Sequence, residues 1–313
     1  VELLFEIGTE ELPPSFVRPA LKQLQAAVTD QLTRARVVHG EVKAFGTPRR
    51  LALTVCDLAE KADDSRETVF GPPVNAAYDK AGKPTQAAVG FAKSQGVDVG
   101  DLKKGVKGKG EYVCVDRVQK GAPTIDHLNL IFRDILGSGI TFPKTMRWEA
   151  EGKRFARPVR WLTLVIDGTT GADSSGKPFS WAGIMADNTT RGHRFLGRSS
   201  IEVTSVEQYM EDLRGSFVIV DHEERKKLIR DLVDRAAASA GGRVVEDDGL
   251  LERVTFTVEY PLVILGSFSS RFLEMPGQVV VTALKEHQDF FSVSDADGKL
   301  MPHFIAVANI DED

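Results

Sequence analysis

Apolar and polar positions recur with changing periods along the chain, and the periods define most of its elements. Leu3-Leu4-Phe5-Glu6-Ile7 is a short apolar strand ending at Gly8, after which Thr9-Glu10-Glu11 and Pro13-Pro14 punctuate the chain. Proline suits the first turn of a helix, where its missing N–H would be unpaired in any case. From Phe16 to about Arg36, the residues Val17, Leu21, Leu24, Val28 and Leu32 recur at three- and four-residue steps, an amphipathic helix face. Residues 42–45 and 51–55 read as strands flanking Gly46-Thr47-Pro48-Arg49-Arg50, a turn that displays two arginines. Gly71-Pro72-Pro73 marks a turn, 84–95 a short helix, and 105–110 a flexible hairpin tip before a strand over 112–118. Residues 122–136 read as a helix stopped by Gly137.

The second half follows the same rules. Residues 159–167 form an apolar strand, 168–178 a loop and 179–185 a further strand. Val203-Thr204-Ser205 precedes a helix ending near Arg214, and residues 217–220 are short and β-branched. Asp221 supplies an N-cap, with Glu224 three residues later to complete a capping box. The helix so opened runs to about Ala240 and stops at Gly241-Gly242. Residues 262–265, 290–293 and 304–307 are strand-like, and 278–288 helical. Helices and strands interleave without the regular alternation of a doubly wound parallel sheet. The expected fold class is therefore α+β with mixed or antiparallel sheets and packed helices.

Composition narrows this picture. At 313 residues, 42% hydrophobic and 27% charged, the chain reads as an ordinary soluble protein large enough for two domains. No apolar run is long enough to span a bilayer and no secretory pattern opens the chain, so no membrane partner and a cytoplasmic location are expected. It begins at Val1, and Asn309-Ile310-Asp311-Glu312-Asp313 follows an apolar run without a cap, which suggests a fragment of a longer polypeptide. Cys56 and Cys114, each in an apolar strand-like stretch, read as reduced buried thiols, and two cysteines with six histidines offer no zinc spacing.

The net charge of −5 argues against a general nucleic-acid binder, and DNA is not an expected partner. Its distribution is uneven. Residues 141–200 carry 10 basic and 5 acidic side chains, whereas residues 201–313 carry 11 and 22. The shift suggests an N-terminal α+β domain over 1–200, with a basic segment at 141–200, and an acidic α+β domain over 201–313; the two could interdigitate.

Several residues invite chemistry. Lys144, Arg147, Lys153, Arg154, Arg157 and Arg160 crowd against Glu149 and Glu151, with Trp148 and Trp161 interleaved. Arginine suits bidentate phosphate contact and aromatic faces can stack on unpaired bases. Equally, the tryptophans could anchor a core and the arginines pair with acidic residues. Thr189-Thr190-Arg191-Gly192-His193-Arg194, followed by Leu196-Gly197-Arg198, is either a backbone-and-side-chain contact to phosphate or ribose or a tight loop braced by its own hydrogen bonds. Arg49 and Arg50 are open to the same two readings. His287 would need an orienting carboxylate and a water or nucleophile site to act in hydrolysis. Glu10-Glu11 suits a helix N-terminus. No phosphate-binding P-loop, dinucleotide fingerprint or nucleophile elbow occurs, and no catalytic set is expected.

Three ordered phrases carry more information: Glu2 to Pro14, the pair Phe142-Pro143-Lys144-Thr145-Met146-Arg147-Trp148 and Phe155-Ala156-Arg157-Pro158-Val159-Arg160-Trp161, and Ala283-Leu284-Lys285-Glu286-His287-Gln288-Asp289-Phe290-Phe291. Together with Thr190 to Phe195 they resemble the N-terminal half of the β subunit of bacterial heterotetrameric glycyl-tRNA synthetase, along nearly the whole chain. The resemblance implies an α2β2 assembly whose α subunit holds ATP, glycine and Mg²⁺ in a class II catalytic domain, with no cofactor on this portion. It implies a β subunit that binds tRNA-Gly and continues into a helical and an anticodon-binding domain. The α+β portion also looks like accessory domains of the phenylalanyl-tRNA synthetase β subunit. The expected role is non-catalytic tRNA binding and assembly, with Arg49, Arg50, Lys144, Arg147, Arg157, Arg160, Arg191, His193 and Arg194 as candidate tRNA contacts. Two other roles stay open: an editing hydrolase built on His287, for which a glycine pocket has little need, or a purely structural scaffold.

Overall fold

A computed structural model describes residues 1–148 and 152–310. Glu149 and Glu151 of the basic segment, and Asp311-Glu312-Asp313 at the end, lie outside the described residues. The fold is α+β. The chain forms two compact units, one of Val1–Glu60 with Pro123–Asp313, the other of Lys61–Ala122. Residue 200, where the charge balance changes, falls inside the first unit.

In the first unit, strand β1 (Leu3–Thr9) lies between β3 (Arg50–Val55) and the strand Val159–Ile166, with β2 (Val42–Thr47) beyond β3. These pairings are antiparallel, and Ile184–Asp187 joins the other edge in parallel with Val159–Ile166. β1 is buried along all seven residues because both faces are covered. Phe5 stacks on Phe132 of the helix Thr124–Asp134 with centroids 3.8 Å apart. Ile7 and Gly46 both lie opposite Leu51, and a Cβ at Gly46 would touch Val17 and Leu21. Helix α1 (Pro14–Arg34) therefore covers the Leu3, Phe5, Ile7 face, using the periodic residues that define it in the sequence. Leu4 faces the other way, in a cluster with Phe45, Ala52, Val165, Tyr209 and Leu213. Glu6 follows on that face, a carboxylate in an otherwise apolar strand.

A second sheet of the same unit orders Arg243–Val244, Phe291–Ser294, Leu300–Ala308 and Leu262–Ser267. It packs through Phe291, Val293 and Ile305 against Ile229 and Val233 of the helix His222–Ser239 and Leu251 and Val254 of the helix Asp248–Thr255. The Asp221 cap is present, accepting from the N–H groups of Glu223 and Glu224. The reciprocal half of the capping box is not, because the Glu224 carboxylate pairs with Arg214 instead.

The unit 61–122 has its own three-stranded antiparallel sheet, Ser65–Pro73, Gly110–Gln119 and Lys103–Lys107, and a small core around Ala77, Ala88 and Val113. Its first and last residues meet: Ala62 N–H donates to the Ala122 carbonyl at 3.0 Å, and a Cβ on Gly121 would stand 1.7 Å from the Ala62 oxygen.

Several expectations are corrected. Gly71-Pro72-Pro73 ends a strand, where the register slips between Phe70 and Pro73 to accommodate it. Residues 179–185 hold a hairpin rather than one strand, since Ala182 and Gly183 adopt φ of 51° and 75° and reverse the chain. The helix Asp248–Thr255 is unannounced by its short sequence pattern.

Gly8 is required by a close approach: a Cβ there would lie 1.9 Å from two atoms of the Trp161 ring. Overpacking of this kind costs about 1–3 kcal/mol. Gly8→Ala should therefore lower the thermal midpoint by several degrees and alter the near-ultraviolet circular dichroism of the tryptophans. A melt and spectrum matching the parent would show that the ring is not held against the strand.

Candidate anion-binding cleft

The turn between β2 and β3 is tighter than the sequence suggests. The strands run to Thr47 and resume at Arg50, leaving only Pro48 and Arg49 between them. Thr9 N–H donates to the Arg49 carbonyl at 2.8 Å, tying the turn to the end of β1. Neither arginine is displayed on a solvated loop. Arg50 is wholly buried and Arg49 only 7% exposed.

Arg50 is the hub of a buried ionic network. Its Nη1 lies 3.5 Å from Glu6 Oε2 and its Nη2 3.2 Å from Glu259 Oε1, and both carboxylates are inaccessible to solvent. Burial works to discharge Arg50, but Glu259 and Glu6 overcome it and hold the guanidinium above its ordinary range. Glu6 also accepts from Trp161 Nε1, from the Tyr209 hydroxyl and from Thr190 Oγ1, the last at 2.6 Å. Burial first, and then Glu6, push the Tyr209 hydroxyl well up, so it remains a donor. Glu259 Oε1 accepts from Thr47 Oγ1 at 2.7 Å. Arg225, also buried, donates to the carbonyls of Thr255, Ile219 and Gly46, and burial pulls its pKa down to about 10 against the pull of Glu259.

The same hub fixes the loop that follows Thr190. Arg50 Nη2 donates to the Arg191 carbonyl at 2.7 Å and Nη1 to Thr190 Oγ1 at 3.3 Å. The loop then closes on itself, with Gly192 N–H donating to Arg198 O at 2.8 Å and Gly197 N–H to His193 O at 3.0 Å. Gly192 and Gly197 serve that closure: a Cβ on Gly197 would stand 2.3 Å from the Ser216 oxygen. Of the two readings of this phrase, the braced loop describes its backbone.

Its side chains nevertheless face a cleft of about 720 Å³, lined by Arg49, Arg160, Arg191, His193 and Arg194, with Glu10, Thr189, Ser199 and Ser200. Four arginines thus meet a single lining carboxylate. Arg191 lies over Trp161 at 4.9 Å from the ring centroid, and Arg49 approaches the same ring at 5.8 Å. Arg49 is pulled down by burial, against Glu259, whose Oε2 is 3.7 Å from its Nη1. Its Nε and Nη1 are buried without a hydrogen-bond partner among the described residues. His193 is 2% exposed. Its Nδ1 faces the N–H groups of Phe195 and Leu196 at 3.4 and 3.3 Å, which places the proton on Nε2. Burial holds the imidazole below its ordinary value, against Glu259 and Asn309, and Nε2 meets no partner at hydrogen-bonding geometry among the described residues. Buried donors without acceptors are uncommon, and here they share one opening.

Glu10 is not at a helix N-terminus. It joins Arg160 Nε at 2.6 Å and Arg194 Nη2. Those hydrogen bonds, Arg194 first, outweigh burial and hold its carboxyl below the usual range. Lys144, Arg147 and Arg157 stand apart from the cleft lining. Lys144 is exposed, Arg147 sits exposed in a two-residue strand paired with Arg154–Phe155, and Arg157 Nη1 donates to the Ala156 carbonyl at 3.0 Å. His287 is exposed in the last turn of the helix Gly277–Gln288, with no hydrogen bond or ion pair among the described residues. Among the described residues, no cluster of His, Cys, Asp and Glu suits a metal ion, and no helix is long and apolar enough to cross a membrane.

Fold and cleft define an α+β protein with an arginine-lined cleft carried on a buried ionic hub. The chain belongs to the glycyl-tRNA synthetase beta subunit family, whose model matches residues 3–313. Proteins named glycine–tRNA ligase beta subunit from Syntrophus aciditrophicus and Geotalea uraniireducens are 42% identical to it over 308 residues, and that of Geobacter sulfurreducens 43%. In each case the match covers 98% of this chain and 44% of the relative, so the chain spans less than half the length of these curated relatives.

Removing one partner of a buried ion pair leaves the other charge uncompensated, at about 3–5 kcal/mol. Arg50→Met should lose that much stability in chemical denaturation, whereas Arg194→Gln, on the half-exposed rim, should lose under about 1 kcal/mol. Equal losses would contradict the assignment of Arg50 as hub. His193 and His222 are both lowered from 6.5, chiefly by burial. Their stabilisation is complete above 6.5 and is lost as pH falls through the lowered folded values. Thermal melts should therefore decline between neutral pH and about pH 5, less steeply in His193→Gln.

Proposed function

We propose that this chain serves glycyl-tRNA synthesis as a non-catalytic portion of glycine–tRNA ligase that contacts the tRNA backbone and joins the partner α subunit. The observation that carries the reading is the cleft, where four arginines and a buried imidazole converge with donors to spare. Arginine forks match phosphate oxygens, and the Thr189, Ser199 and Ser200 hydroxyls at the rim can add neutral contacts. In this reading ATP, glycine and Mg²⁺ are handled by the partner, and this chain's benefit to the reaction is orientation of the acceptor end. The assembly is α2β2 in the cytoplasm. Its second part, docking to the partner, is supported by the concentration of exposed apolar side chains at Ile264, Leu265, Phe272, Met275 and Val279.

Fluorescence titration of tRNA-Gly at several salt concentrations, with and without the partner subunit, tests the RNA contact. Arg160→Gln and Arg191→Gln should each weaken binding to all RNA sequences and flatten the log–log salt slope by roughly 0.7–0.9. Arg147→Gln, outside the cleft, should have a smaller effect. Unchanged affinity and slope in folded Arg160 and Arg191 variants would move RNA contact away from this cleft.

A further inference from the structure

The lining of the cleft contains one carboxylate, and its placement is specific. Glu10 follows directly on β1, and its backbone N–H donates to the Pro158 carbonyl at 2.9 Å. Its two oxygens are shared between two chain segments distant in sequence: Oε1 takes Arg160 Nε at 2.6 Å and Oε2 takes Arg194 Nη2. A carboxylate held this way presents two oxygens to two guanidinium groups, as the non-bridging oxygens of a phosphodiester would. Two further lining side chains are at least nine-tenths buried: Arg49, whose Nε and Nη1 make no hydrogen bond among the described residues while Nη1 lies 3.7 Å from Glu259 Oε2, and His193, whose Nε2 likewise makes none. The cleft thus holds two sets of donors, one engaged by the carboxylate of Glu10 and one, deeper, without a close hydrogen-bond acceptor among the described residues.

We infer that Glu10 is a built-in competitor for the anion site, and that an RNA phosphodiester enters by displacing its carboxylate from Arg160 and Arg194 while Arg49 and His193 receive the same phosphate. The inference rests on the RNA-contact reading above and adds a mechanism to it. Displacement costs little, because the Arg160 and Arg194 side chains are half-exposed at the rim and such pairs are individually weak. Before RNA arrives, Glu10 keeps the two rim arginines aimed across the opening and lowers the attraction of the cleft for stray small anions. The mouth therefore discriminates by charge density: a polyanion that can also engage Arg191 and the floor replaces Glu10, whereas an isolated monoanion does so poorly.

Affinity for tRNA-Gly, and separately for inorganic phosphate, would be measured by titration of the full chain in its parent form and as Glu10→Gln, Glu10→Asp and Glu11→Gln. Glu11 is a neighbouring exposed carboxylate outside the cleft lining. It controls for the general effect of removing one negative charge. Glu10→Gln should bind both probes more tightly, on the order of tenfold, with a steeper salt slope for RNA, while Glu11→Gln changes little. Glu10→Asp, which keeps the charge but shortens the reach, should fall between. Weaker binding in Glu10→Gln, or equal gains in Glu10→Gln and Glu11→Gln, would overturn the competitor role. If tRNA fails to bind the parent and every variant yet phosphate binding still tightens in Glu10→Gln alone, the competitor stands and the RNA reading falls. If tRNA binds the parent but Glu10→Gln leaves both probes unchanged, the RNA reading stands and the competitor falls. Unaltered thermal midpoints confirm that each variant is folded.

Discussion

Two carboxylates, Glu6 and Glu259, are buried completely, and the fully buried guanidinium of Arg50 lies between them. Removing three charges from water costs several kcal/mol for each ion, and only good geometry with every remaining lone pair engaged recovers it. Trp161, Tyr209, Thr190 and Thr47 supply most of those engagements, while Glu259 Oε2 has only the Arg49 guanidinium at 3.7 Å. Well-packed apolar residues often replace buried ion pairs without loss of stability. What the ionic hub adds is a link between distant segments, since its partners come from β1, β3, the strand ending at Thr190 and the segment at 259. The hub also faces two ways. Behind, it locks strands; in front, through the Arg191 carbonyl, it sets where the arginine-bearing loop stands.

This arrangement explains why adjacent residues of one sequence phrase do different work. Arg49 and Arg50 stand side by side in the chain, yet Arg50 spends its donors in the hub, whereas Arg49 lines the cleft with two nitrogens that make no hydrogen bond among the described residues. Glu10 and Glu11 divide in the same way. Trp161 serves both sides, with its indole N–H on Glu6 and its ring under Arg191. The basic middle of the chain accordingly splits: Arg160 reaches the cleft with the 191–194 loop, while Lys144, Arg147 and Arg157 point elsewhere.

Elements whose signals are local were legible in the sequence. The three- and four-residue spacing of α1 and the Asp221 cap needed no tertiary information, and the irregular interleaving of helices and strands pointed to the α+β class. Errors arose where a distant partner decided the outcome. The hairpin inside 179–185 turns on a positive φ at Ala182, a residue that carries no turn signal. Five of the nine candidate contact residues line the cleft, because clusters of basic side chains could be named from the sequence. Glu6, Tyr209 and Glu259 could not: a glutamate inside an apolar strand was visible, but its partners lie up to 203 residues away.

The unit 61–122 leaves and re-enters the chain at one point. Ala62 and Ala122 are hydrogen-bonded to each other, and on the other side of that neck Thr124 N–H donates to the Glu60 carbonyl at 2.8 Å. The residues flanking this stretch are therefore already joined without it. A short peptide linking residue 60 to residue 123 would close the gap with no strand displaced, so the block can be excised or exchanged as a cassette. Genetic rearrangement would find in that neck a place where some sixty residues can be gained or lost in one event. The ionic hub and the cleft it supports would pass through such an event intact.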